Sequence, residues 1–440
     1  MKLFGTDGIR GHAGEFPLDD GTVRRIGREL GRRLARSGNA TAVVGGDTRE
    51  STPRIVAQLS AGIREAGGQV ASAGVISTPG VAEVVLELGA GAGVSISASH
   101  NPWQDNGIKI FGPDARKWPD PEEEALEREL LSEKREGTPS EAKSMDADPA
   151  LCELYLGRMA RSVPVRLNGV RILVDAGNGA AFRLGPEALR RAGAHVDTIC
   201  DAPDGRNINE GCGALHPENM LGAVREKSAA LGVAYDGDAD RSIFSDENGR
   251  ILDGDDVLWI IASDWKRKGI LPPGGVVGTV MSNFALEAAL IREAIPFRRS
   301  AVGDRNVAKL MEESGASLGG ETSGHVLLPF SPAGDGILTT LLVASILVES
   351  GQPLSRLATL EKTPQALRNV RVARRIEIDT LPSVAGAVER ARKQFDGRGR
   401  IFLRYSGTEP LLRILVEGPD AAEVSQIAGD LEAAVRAELT

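Results

Sequence analysis

The fold is decided by residues 79–102, PGVAEVVLELGAGAGVSISASHNP, in which a helix leads into an apolar strand that ends in a serine-containing turn. Pro79 begins the helical part, and residues 94–97 form the predicted strand. The same order of helix and strand occurs earlier in the chain, where an apolar run at 42–44 follows four residues at helical spacing, Val23, Ile26, Leu30 and Leu34. This alternation predicts a layer of parallel strands covered by helices.

The alternation continues beyond a charged segment. Residues 121–136 are crowded with Glu, Lys and Arg and are followed by Gly137-Thr138-Pro139-Ser140, which predicts a solvated helix, a linker and a domain boundary near Cys152. A second α/β unit has strands predicted at 170–174, 195–199 and 231–235. A third has strands predicted at 276–280 and 297–301 and a buried helix at 337–348.

The last part of the chain has a different pattern. Strands are predicted at 370–378, 400–404 and 412–417, and helices at 384–393 and 421–437, which is typical of an α+β domain. We therefore predict three α/β domains with mixed, mainly parallel sheets and a C-terminal α+β domain. Their predicted boundaries are 1–152, 153–253, 254–368 and 369–440.

The composition limits the class of protein. At 440 residues the chain has the length of a multidomain enzyme, and 52 Lys and Arg against 61 Asp and Glu give a net charge of −9, which argues against nucleic acid or a membrane as the main partner. The three cysteines are widely spaced and form no CxxC pair, so neither a disulfide framework nor a zinc knuckle is predicted. We expect a cytoplasmic enzyme, because the sequence also shows no membrane-spanning run and no signal peptide at its start.

The serine that ends the predicted strand is a candidate nucleophile. Ser99 is followed by His100 and Asn101 and, ten residues on, by Lys109, an arrangement suited to the covalent relay of a charged group. The alternative is an ordinary serine in a turn before Asn-Pro. A serine hydrolase is not indicated, because no Gly-x-Ser-x-Gly elbow is present and His100 would point away from Ser99 if both residues were extended.

Three alternate carboxylates form a candidate metal site. Asp236, Asp238 and Asp240 follow an apolar strand, and in an extended or loop segment alternate side chains point to one side. Mg²⁺ prefers such oxygen ligands. An EF-hand is disfavoured because Arg241 stands where glycine is required, although Glu247 falls at the twelfth position. An aspartyl-phosphate phosphatase and a solvated acidic turn remain alternatives.

Two further loops are candidates for substrate recognition. Arg404-Tyr405-Ser406-Gly407-Thr408 places a guanidinium, hydroxyls and a flexible backbone between two strands, as a phosphate cradle would, and a surface turn is the alternative. Gly320-Glu321-Thr322-Ser323-Gly324-His325 offers a carboxylate and a hydroxyl that suit neighbouring sugar hydroxyls, and a helix N-cap is the alternative.

Taken together, these loops and Phe4-Gly5-Thr6-Asp7-Gly8-Ile9-Arg10-Gly11 resemble the α-D-phosphohexomutase superfamily over nearly the whole chain. Within it, residues 207–213, NINEGCG, and Val302-Gly303-Asp304-Arg305 resemble the branch that acts on glucosamine phosphates. Thr322 departs from the pattern, because that branch usually has Gln there and the mannose and glucose enzymes often have Met.

The resemblance implies an arrangement of the four domains around a central cleft and a phosphoryl group carried by Ser99. It implies one Mg²⁺ per chain, held by Asp236, Asp238 and Asp240 together with the Ser99 phosphoryl group. Arg10 and Arg241 would offset the charge that develops on the transferring group.

The resemblance also implies the reaction. Glucosamine 6-phosphate and glucosamine 1-phosphate would interconvert through a hexosamine 1,6-bisphosphate that serves as intermediate and primer, which would feed UDP-N-acetylglucosamine and cell-wall synthesis. Lys109 is the first candidate for the general acid and base, and His325 the second. The residues implied in substrate binding are Glu321, Ser323 and His325 for the sugar and Arg404, Ser406, Gly407, Thr408 and Arg413 for its phosphate.

Two other functions stay open at this point. One is a phosphomannomutase/phosphoglucomutase, and the other, from a different class, is a non-catalytic sugar-phosphate-binding protein. The expected partner in every case is a small phosphosugar, with neither nucleic acid nor a membrane involved, and the oligomeric state is left open between a monomer and a homodimer.

Overall fold

The structure is a computed structural model that describes residues 3–5, 7–132, 142–164, 166–406 and 410–439. The described residues form four β-sheets, one in each of four successive parts of the chain. Helices cover the first three sheets, and their central strands, such as those at 92–96, 231–235 and 276–279, are buried throughout.

The first part holds a mixed sheet with the strand order β1-β2-β6-β5-β3-β4. Strands β5, β3 and β4 are parallel, and β1, β2 and β6 add to the sheet in antiparallel fashion. The elements are β1 (Phe4–Gly5), β2 (Gly8–His12), α1 (Asp20–Ser37), β3 (Thr41–Gly46), α2 (Thr52–Glu65), β4 (Gln69–Val75), α3 (Thr78–Leu88), β5 (Ala92–Ile96), β6 (Asp105–Phe111) and α4 (Asp120–Ser132).

The second part holds a sheet with the order β11-β10-β9-β7-β8, in which β9, β7 and β8 are parallel. Its elements are α5 (Pro149–Ser162), β7 (Arg171–Asp175), α6 (Ala181–Arg191), β8 (His195–Ile199), α7 (Met220–Glu226), β9 (Leu231–Tyr235), β10 (Ser242–Asp246) and β11 (Ile251–Leu252).

The third part holds a sheet with the order β13-β12-β14-β15, parallel except at β15. Its elements are α8 (Gly254–Arg267), β12 (Val276–Thr279), α9 (Phe284–Arg292), β13 (Phe297–Ser300), α10 (Asp304–Ser314), β14 (Leu318–Gly320), β15 (Val326–Leu327), α11 (Gly336–Ser350) and α12 (Leu354–Leu357).

The C-terminal part holds an antiparallel sheet with the order β16-β18-β17. Its elements are β16 (Gln365–Arg371), α13 (Pro382–Phe395), β17 (Arg400–Tyr405), β18 (Leu411–Glu417) and α14 (Ala421–Leu439). The sheet and its helices match the predicted α+β pattern.

The hydrophobic cores separate the C-terminal part from the rest. One continuous core contains residues from all three α/β units, among them Val43, Val233 and Val276. The C-terminal part has a core of its own, which includes Leu412 and Leu431. The three α/β units therefore form one body, and the fourth unit packs largely on itself.

The predicted fold class is confirmed, and the domain boundaries stay predictions. The strand predicted at 370–378 is wrong in position. The observed strand β16 begins at Gln365, and its ladder with β18 ends at Arg371, while residues 378–380 form a 3₁₀ turn (Ile378–Thr380). In the part of the chain that the structure describes, no helix combines the length and the apolar character needed to cross a bilayer.

Candidate active site

Ser99 lies in a sharp turn just after β5. Its backbone is left-handed, with φ of 53°, a conformation that costs about 1 kcal/mol or more in a non-glycine residue unless its surroundings hold it. Two side chains hold the Ser99 carbonyl, because Arg49 Nη2 donates to it at 3.1 Å and Asn209 Nδ2 at 3.0 Å. The Ser99 amide donates to Ser97 Oγ at 2.9 Å. Hydrogen bonds thus hold the turn at both the amide and the carbonyl of Ser99.

A buried ion pair supports this turn from below. Arg49 Nη1 contacts Asp47 Oδ2 at 2.7 Å, and both side chains are fully buried. Asp47 also accepts a hydrogen bond of 2.6 Å from Ser97 Oγ. Neither residue was predicted from the sequence. The pattern that indicated Ser99 was also present here, because Asp47 and Arg49 follow the apolar strand β3 at the same edge of the sheet.

The Ser99 hydroxyl contacts the loop at residues 236–240, called the metal loop below because it carries the three carboxylates. Its Oγ donates to Asp236 Oδ2 at 2.6 Å, and it lies 3.4 Å from Nδ1 of His100. The expectation that His100 points away from Ser99 is wrong, because the left-handed turn at Ser99 breaks the alternation of an extended chain. Ser99 is fully buried, so its hydroxyl lies beneath the surface of the site.

The three carboxylates converge as the sequence predicts, in a turn and not in an extended segment. The Ala239 amide donates to the Asp236 carbonyl at 3.0 Å, and Ala239 has φ of 56°. Carboxylate oxygens of Asp236, Asp238 and Asp240 all lie within 4.8 Å of one another. Gly237 allows the metal loop to pack against the Ser99 turn, since a Cβ atom at this position would come to 2.4 Å from the Ser99 carbonyl oxygen.

The acidic triad fits a hard metal ion. Asp238 Oδ1 and Asp240 Oδ1 are buried and have no hydrogen-bond partner, so two carboxylate oxygens are left for a cation. Burial and the neighbouring carboxylates raise the pKa of Asp236 well above its usual range, as expected where acidic groups share a site without a metal. The EF-hand alternative is excluded, because Glu247 instead contacts the hydroxyl of Ser355.

A second cluster, Asp175, Cys200 and Cys212, also brings metal-type ligands together. Here both Asp175 oxygens accept backbone hydrogen bonds of 2.9 Å, from Gly177 and from Gly213. Burial raises the pKa of Cys200 to about 11, so the thiol is protonated at neutral pH. Both oxygens of Asp175 are therefore engaged in holding two loops together, whereas the triad has two buried oxygens without a hydrogen-bond partner.

Lys109 lies behind the triad. Its Nζ is 2.7 Å from Asp238 Oδ2, 3.4 Å from Asp240 Oδ2 and 2.9 Å from Asp7 Oδ2. Burial alone would lower the pKa of Lys109, but the carboxylates, Asp238 first, outweigh burial and hold the pKa well above its usual range. Lys109 is therefore a fixed cation enclosed by three carboxylates.

A cavity of about 520 Å³ opens above these groups. Predicted site residues that line it are Arg10, His100, Arg241, Glu321, His325 and Asp240. The Arg241 amide donates to Asp236 Oδ1 at 3.2 Å, which ties this wall of the cavity to the metal loop. The cavity wall thus carries two guanidinium groups, from Arg10 and Arg241, the carboxylate of Glu321 and the imidazole of His325.

His325 lies between two carboxylates at the cavity wall. Its Nδ1 is 3.7 Å from Asp240 Oδ1, and its Nε2 is 3.9 Å from Asp304 Oδ2. Burial alone would lower the pKa of His325, but Asp240 and Asp304 outweigh it and raise the pKa. The two carboxylates therefore favour the protonated imidazole.

Three charged residues of the cavity were not assigned a role from the sequence. Lys117 Nζ contacts Asp7 Oδ1 at 2.5 Å and Asp304 Oδ2 at 2.6 Å, which links the first part of the chain to the third. Asp7 and Asp304 lie in segments that the sequence analysis quoted, whereas Lys117 lies in a segment with no recognisable pattern.

The loop with Glu321 lies between β14 and β15 in a turn closed by the hydrogen bond from the Gly324 amide to the Glu321 carbonyl, 3.0 Å. It does not begin a helix, so the N-cap alternative is wrong. Glu321 Oε1 accepts a hydrogen bond of 2.9 Å from the Gly303 amide, and Ser323 is exposed. The carboxylate is thereby aimed at the cavity.

The predicted phosphate-binding residues lie apart from the cavity. Arg404 and Arg413 are directly opposite each other on β17 and β18, and Ser406 is buried at the end of β17. Arg375, which the sequence analysis missed, donates to the Ser406 carbonyl at 2.6 Å. Gly407 and Thr408 lie outside the described residues. Among the residues that the structure describes, the cavity wall has none from the C-terminal part.

Family models match each part of the chain in turn. The models describe phosphoglucomutase/phosphomannomutase α/β/α domain I at residues 1–136, domain II at 153–249, domain III at 253–363 and the C-terminal domain at 367–434.

Two curated relatives are similar over their full length. A phosphoglucosamine mutase of Symbiobacterium thermophilum is 45% identical, and the alignment covers 100% of this chain and 99% of the relative. A phosphoglucosamine mutase of Solibacter usitatus is 44% identical, with 99% of each chain covered.

Solved structures share the fold. A phosphoglucomutase/phosphomannomutase family protein of Burkholderia thailandensis superposes with a TM-score of 0.80 at 23% identity, covering 99% of this chain and 97% of that one. An N-acetylphosphoglucosamine mutase of Aspergillus fumigatus, in complex with GlcNAc-6P and magnesium, has a TM-score of 0.71 at 19% identity, covering 100% of this chain and 96% of that one.

Proposed function

Because the chain belongs to the phosphoglucomutase/phosphomannomutase family and is a phosphosugar mutase, we propose that its substrates are glucosamine 6-phosphate and glucosamine 1-phosphate. The observation that carries this proposal is the full-length similarity, at 45% and 44% identity, to two proteins named phosphoglucosamine mutase. The product would supply the synthesis of UDP-N-acetylglucosamine, and the enzyme would work in the cytoplasm.

Ser99 is the proposed carrier of the phosphoryl group. The bond from Ser99 Oγ to phosphorus breaks as the phosphorus bonds to O1 of glucosamine 6-phosphate, and the O1 proton leaves to a base. The freed Ser99 oxygen takes up a proton, and the 1,6-bisphosphate presents its other end. The bond from O6 to phosphorus then breaks as Ser99 Oγ bonds to that phosphorus, the Ser99 hydroxyl proton leaves to a base, and O6 takes up a proton as glucosamine 1-phosphate is released. The turn that fixes both sides of the Ser99 peptide supports this role, since transfer depends on alignment of the reacting atoms.

Asp236, Asp238 and Asp240 would hold the metal, and their oxygen ligands favour Mg²⁺. The ion would supply positive charge beside the transferring phosphoryl group. Lys109 and Arg241 add fixed positive charge from the protein, and Arg10 lines the cavity on the same side. Together these groups would offset the charge that spreads over the phosphoryl oxygens.

The proton at the reacting hydroxyl is the proposed task of His325, with Lys109 as the other candidate. His325 lines the cavity, and Asp240 and Asp304 raise its pKa, which favours a protonated imidazole that can donate to a leaving oxygen. Lys109 is enclosed by carboxylates that keep it charged, so it supplies fixed positive charge behind the triad and is less suited to take up a proton.

The substrate is proposed to bind at both ends. Its sugar ring would contact Glu321, Ser323 and His325, and its distal phosphate would bind Arg404, Ser406, Gly407, Thr408 and Arg413. Arg404 and Arg413 lie directly opposite each other on β17 and β18, and guanidinium groups on neighbouring strands suit the charge and shape of a phosphate. The C-terminal part would bring this end of the substrate to the cavity.

Substrate discrimination tests the proposal. We expect kcat/KM for glucosamine 6-phosphate to exceed that for glucose 1-phosphate and mannose 1-phosphate by at least about tenfold, measured with Mg²⁺ and a hexose 1,6-bisphosphate primer. A higher kcat/KM for mannose 1-phosphate would show a phosphomannomutase/phosphoglucomutase instead. Binding of glucosamine 6-phosphate without turnover of any of the three would show a non-catalytic binding protein.

A further inference from the structure

We propose that Thr322 and Asp255 are positioning residues that connect the sugar-recognition loop, residues 321–324, to the linker that leads into the C-terminal part. The inference rests on the proposed function, since it assigns the loop to the sugar. Neither residue lines the cavity, so each would act through Glu321.

The sugar-recognition loop lies directly on the first turn of α8. The Thr322 carbonyl accepts a hydrogen bond of 3.1 Å from the Gly254 amide. The approach is so close that a Cβ atom at Gly254 would lie 1.9 Å from the Glu321 carbonyl oxygen. Any shift of this helix end is therefore transmitted to the backbone of Glu321.

The Thr322 side chain points away from the cavity and toward α8. Its Oγ1 donates to Asp255 Oδ2 at 3.3 Å. Thr322 was the residue that departs from the family pattern, and this contact gives its hydroxyl a structural partner. Val at this position would keep the shape of Thr and lose the hydrogen bond.

The Asp255 side chain is fully buried and contacts three separate segments of the chain. Its Oδ2 accepts a hydrogen bond of 2.7 Å from the Asn283 amide and lies 3.8 Å from Lys362 Nζ. Lys362 also contacts Asp253 Oδ1 at 2.5 Å and Asp256 Oδ2 at 3.2 Å. The Lys362 ammonium thus lies among three carboxylates at the start of α8, and Arg250 Nη2 adds a second cation 3.2 Å from Asp256 Oδ1. Loss of the ammonium would leave the buried carboxylates of Asp255 and Asp256 with less compensating charge.

Lys362 lies in the linker, and its neighbour fastens the linker to the same region. Thr363 and Asn283 exchange two hydrogen bonds of 3.0 Å. The adjacent Phe284 amide donates to Glu417 Oε1 at 3.0 Å, and Glu417 belongs to β18 of the C-terminal part. A continuous set of contacts therefore runs from the C-terminal sheet through Lys362 and Asp255 to Thr322.

A double-mutant cycle of Thr322→Val and Lys362→Met tests the connection. We expect Thr322→Val to raise KM for glucosamine 6-phosphate about tenfold with a smaller change in kcat, because the loop keeps its groups but loses their placement. Thr322→Ser restores the hydroxyl and should return KM to near the wild-type value. The double variant should raise KM by less than the product of the two single effects.

Thr198→Val is the matched control. It removes a hydrogen bond of the same kind, from a threonine hydroxyl to Asp201 Oδ2 at 2.6 Å, at a site remote from the loop. It should leave KM unchanged. Hydrogen exchange gives a readout independent of turnover, because Lys362→Met should speed exchange of the amides at 321–324 and Thr198→Val should not.

The inference is overturned if Thr322→Val lowers the melting temperature without changing KM, if the single effects on KM multiply fully, or if exchange at 321–324 is the same in Lys362→Met and wild type. Failure of the proposed function has a different signature. In that case wild type would not turn over glucosamine 6-phosphate, while the exchange experiment and KM for whichever hexose phosphate is turned over would still report on the loop.

Discussion

The reaction centre and the phosphate-binding end of this molecule differ in how firmly they are built. Ser99 and the three aspartates are almost completely buried and are held by hydrogen bonds from several segments within one continuous core. Arg404 and its neighbours on β17 are half-buried, and they belong to a part with a separate core. The contrast supports the proposal that the three α/β units organise the proposed reaction centre in advance and that the C-terminal part binds the distal phosphate.

The two regions also differ in charge. At the reaction centre the carboxylates are interleaved with cations, as Lys109 shows by contacting Asp238, Asp240 and Asp7 at once. At the phosphate-binding end, Arg404 and Arg413 lie opposite each other with positive charge on both strands. Variants should therefore separate the regions, with losses in phosphoryl transfer at the first and in substrate affinity at the second.

The largest effect is expected for Ser99→Ala. Removal of the hydroxyl that donates to Asp236 should lower kcat by at least about 10³-fold, because no atom remains to carry the phosphoryl group. Steady-state turnover of glucosamine 6-phosphate checks this. Ser132→Ala, which removes an exposed hydroxyl, should behave as wild type. Wild-type turnover by Ser99→Ala would show that Ser99 does not carry the phosphoryl group.

The next effect is expected for Asp240→Asn. Loss of one carboxylate from the triad should lower kcat about 10²-fold and shift the Mg²⁺ dependence of activity to higher concentration. A Mg²⁺ titration of the rate measures both changes. Asp264→Asn alters a buried carboxylate outside the triad, on α8, that pairs with Arg267 and Lys268, and it should leave the titration unchanged. An unaltered Mg²⁺ dependence in Asp240→Asn would exclude the triad as the metal site.

A smaller effect of another kind is expected for Arg404→Lys. Lysine keeps the charge but loses the two-pronged contact with phosphate, so KM should rise by about tenfold or more while Ser99 is still phosphorylated. Phosphoserine content and KM, measured on the same preparation, check the split. Arg436→Lys on α14 serves as the control. A fall in phosphoserine content in Arg404→Lys would show that the two regions are not separable.

The last prediction concerns stability and pH within the three-unit body, where no effect on turnover is expected. Burial and Asp335 raise the pKa of Glu83 from 4.5 to about 7. The folded state therefore binds more protons than the unfolded state between these values, and the stability that this proton contributes is lost as pH rises through 7.

Glu83→Gln cannot titrate, so its stability relative to wild type should improve by roughly 3 kcal/mol between pH 4.5 and pH 8. Unfolding followed by tryptophan fluorescence reports on this body, since all four tryptophans, Trp103, Trp118, Trp259 and Trp265, precede the C-terminal part. Parallel pH profiles for wild type and Glu83→Gln would contradict the assignment.

The alternation of helices and apolar strands predicted the fold class, and the resemblance to a known family implied the convergence of Ser99 with the acidic loop. These two loops follow strands of different sheets, β5 and β9, so no pattern within one sheet predicts their contact. The sequence did not predict the orientation of His100, which depends on a left-handed residue at Ser99 that only tertiary contacts stabilise. It also missed Lys117, whose partners Asp7 and Asp304 lie 110 and 187 residues away. Ion pairs over such separations leave no local pattern.

The most direct test of the account is to locate the phosphoryl group on the protein. Wild-type protein incubated with Mg²⁺ and a radiolabelled hexose 1,6-bisphosphate should carry acid-stable label on Ser99, identified by peptide mass spectrometry, and addition of unlabelled glucosamine 6-phosphate should remove it. Label that is sensitive to hydroxylamine and maps to Asp236, or a protein that turns over substrate with no label on Ser99, would contradict the account.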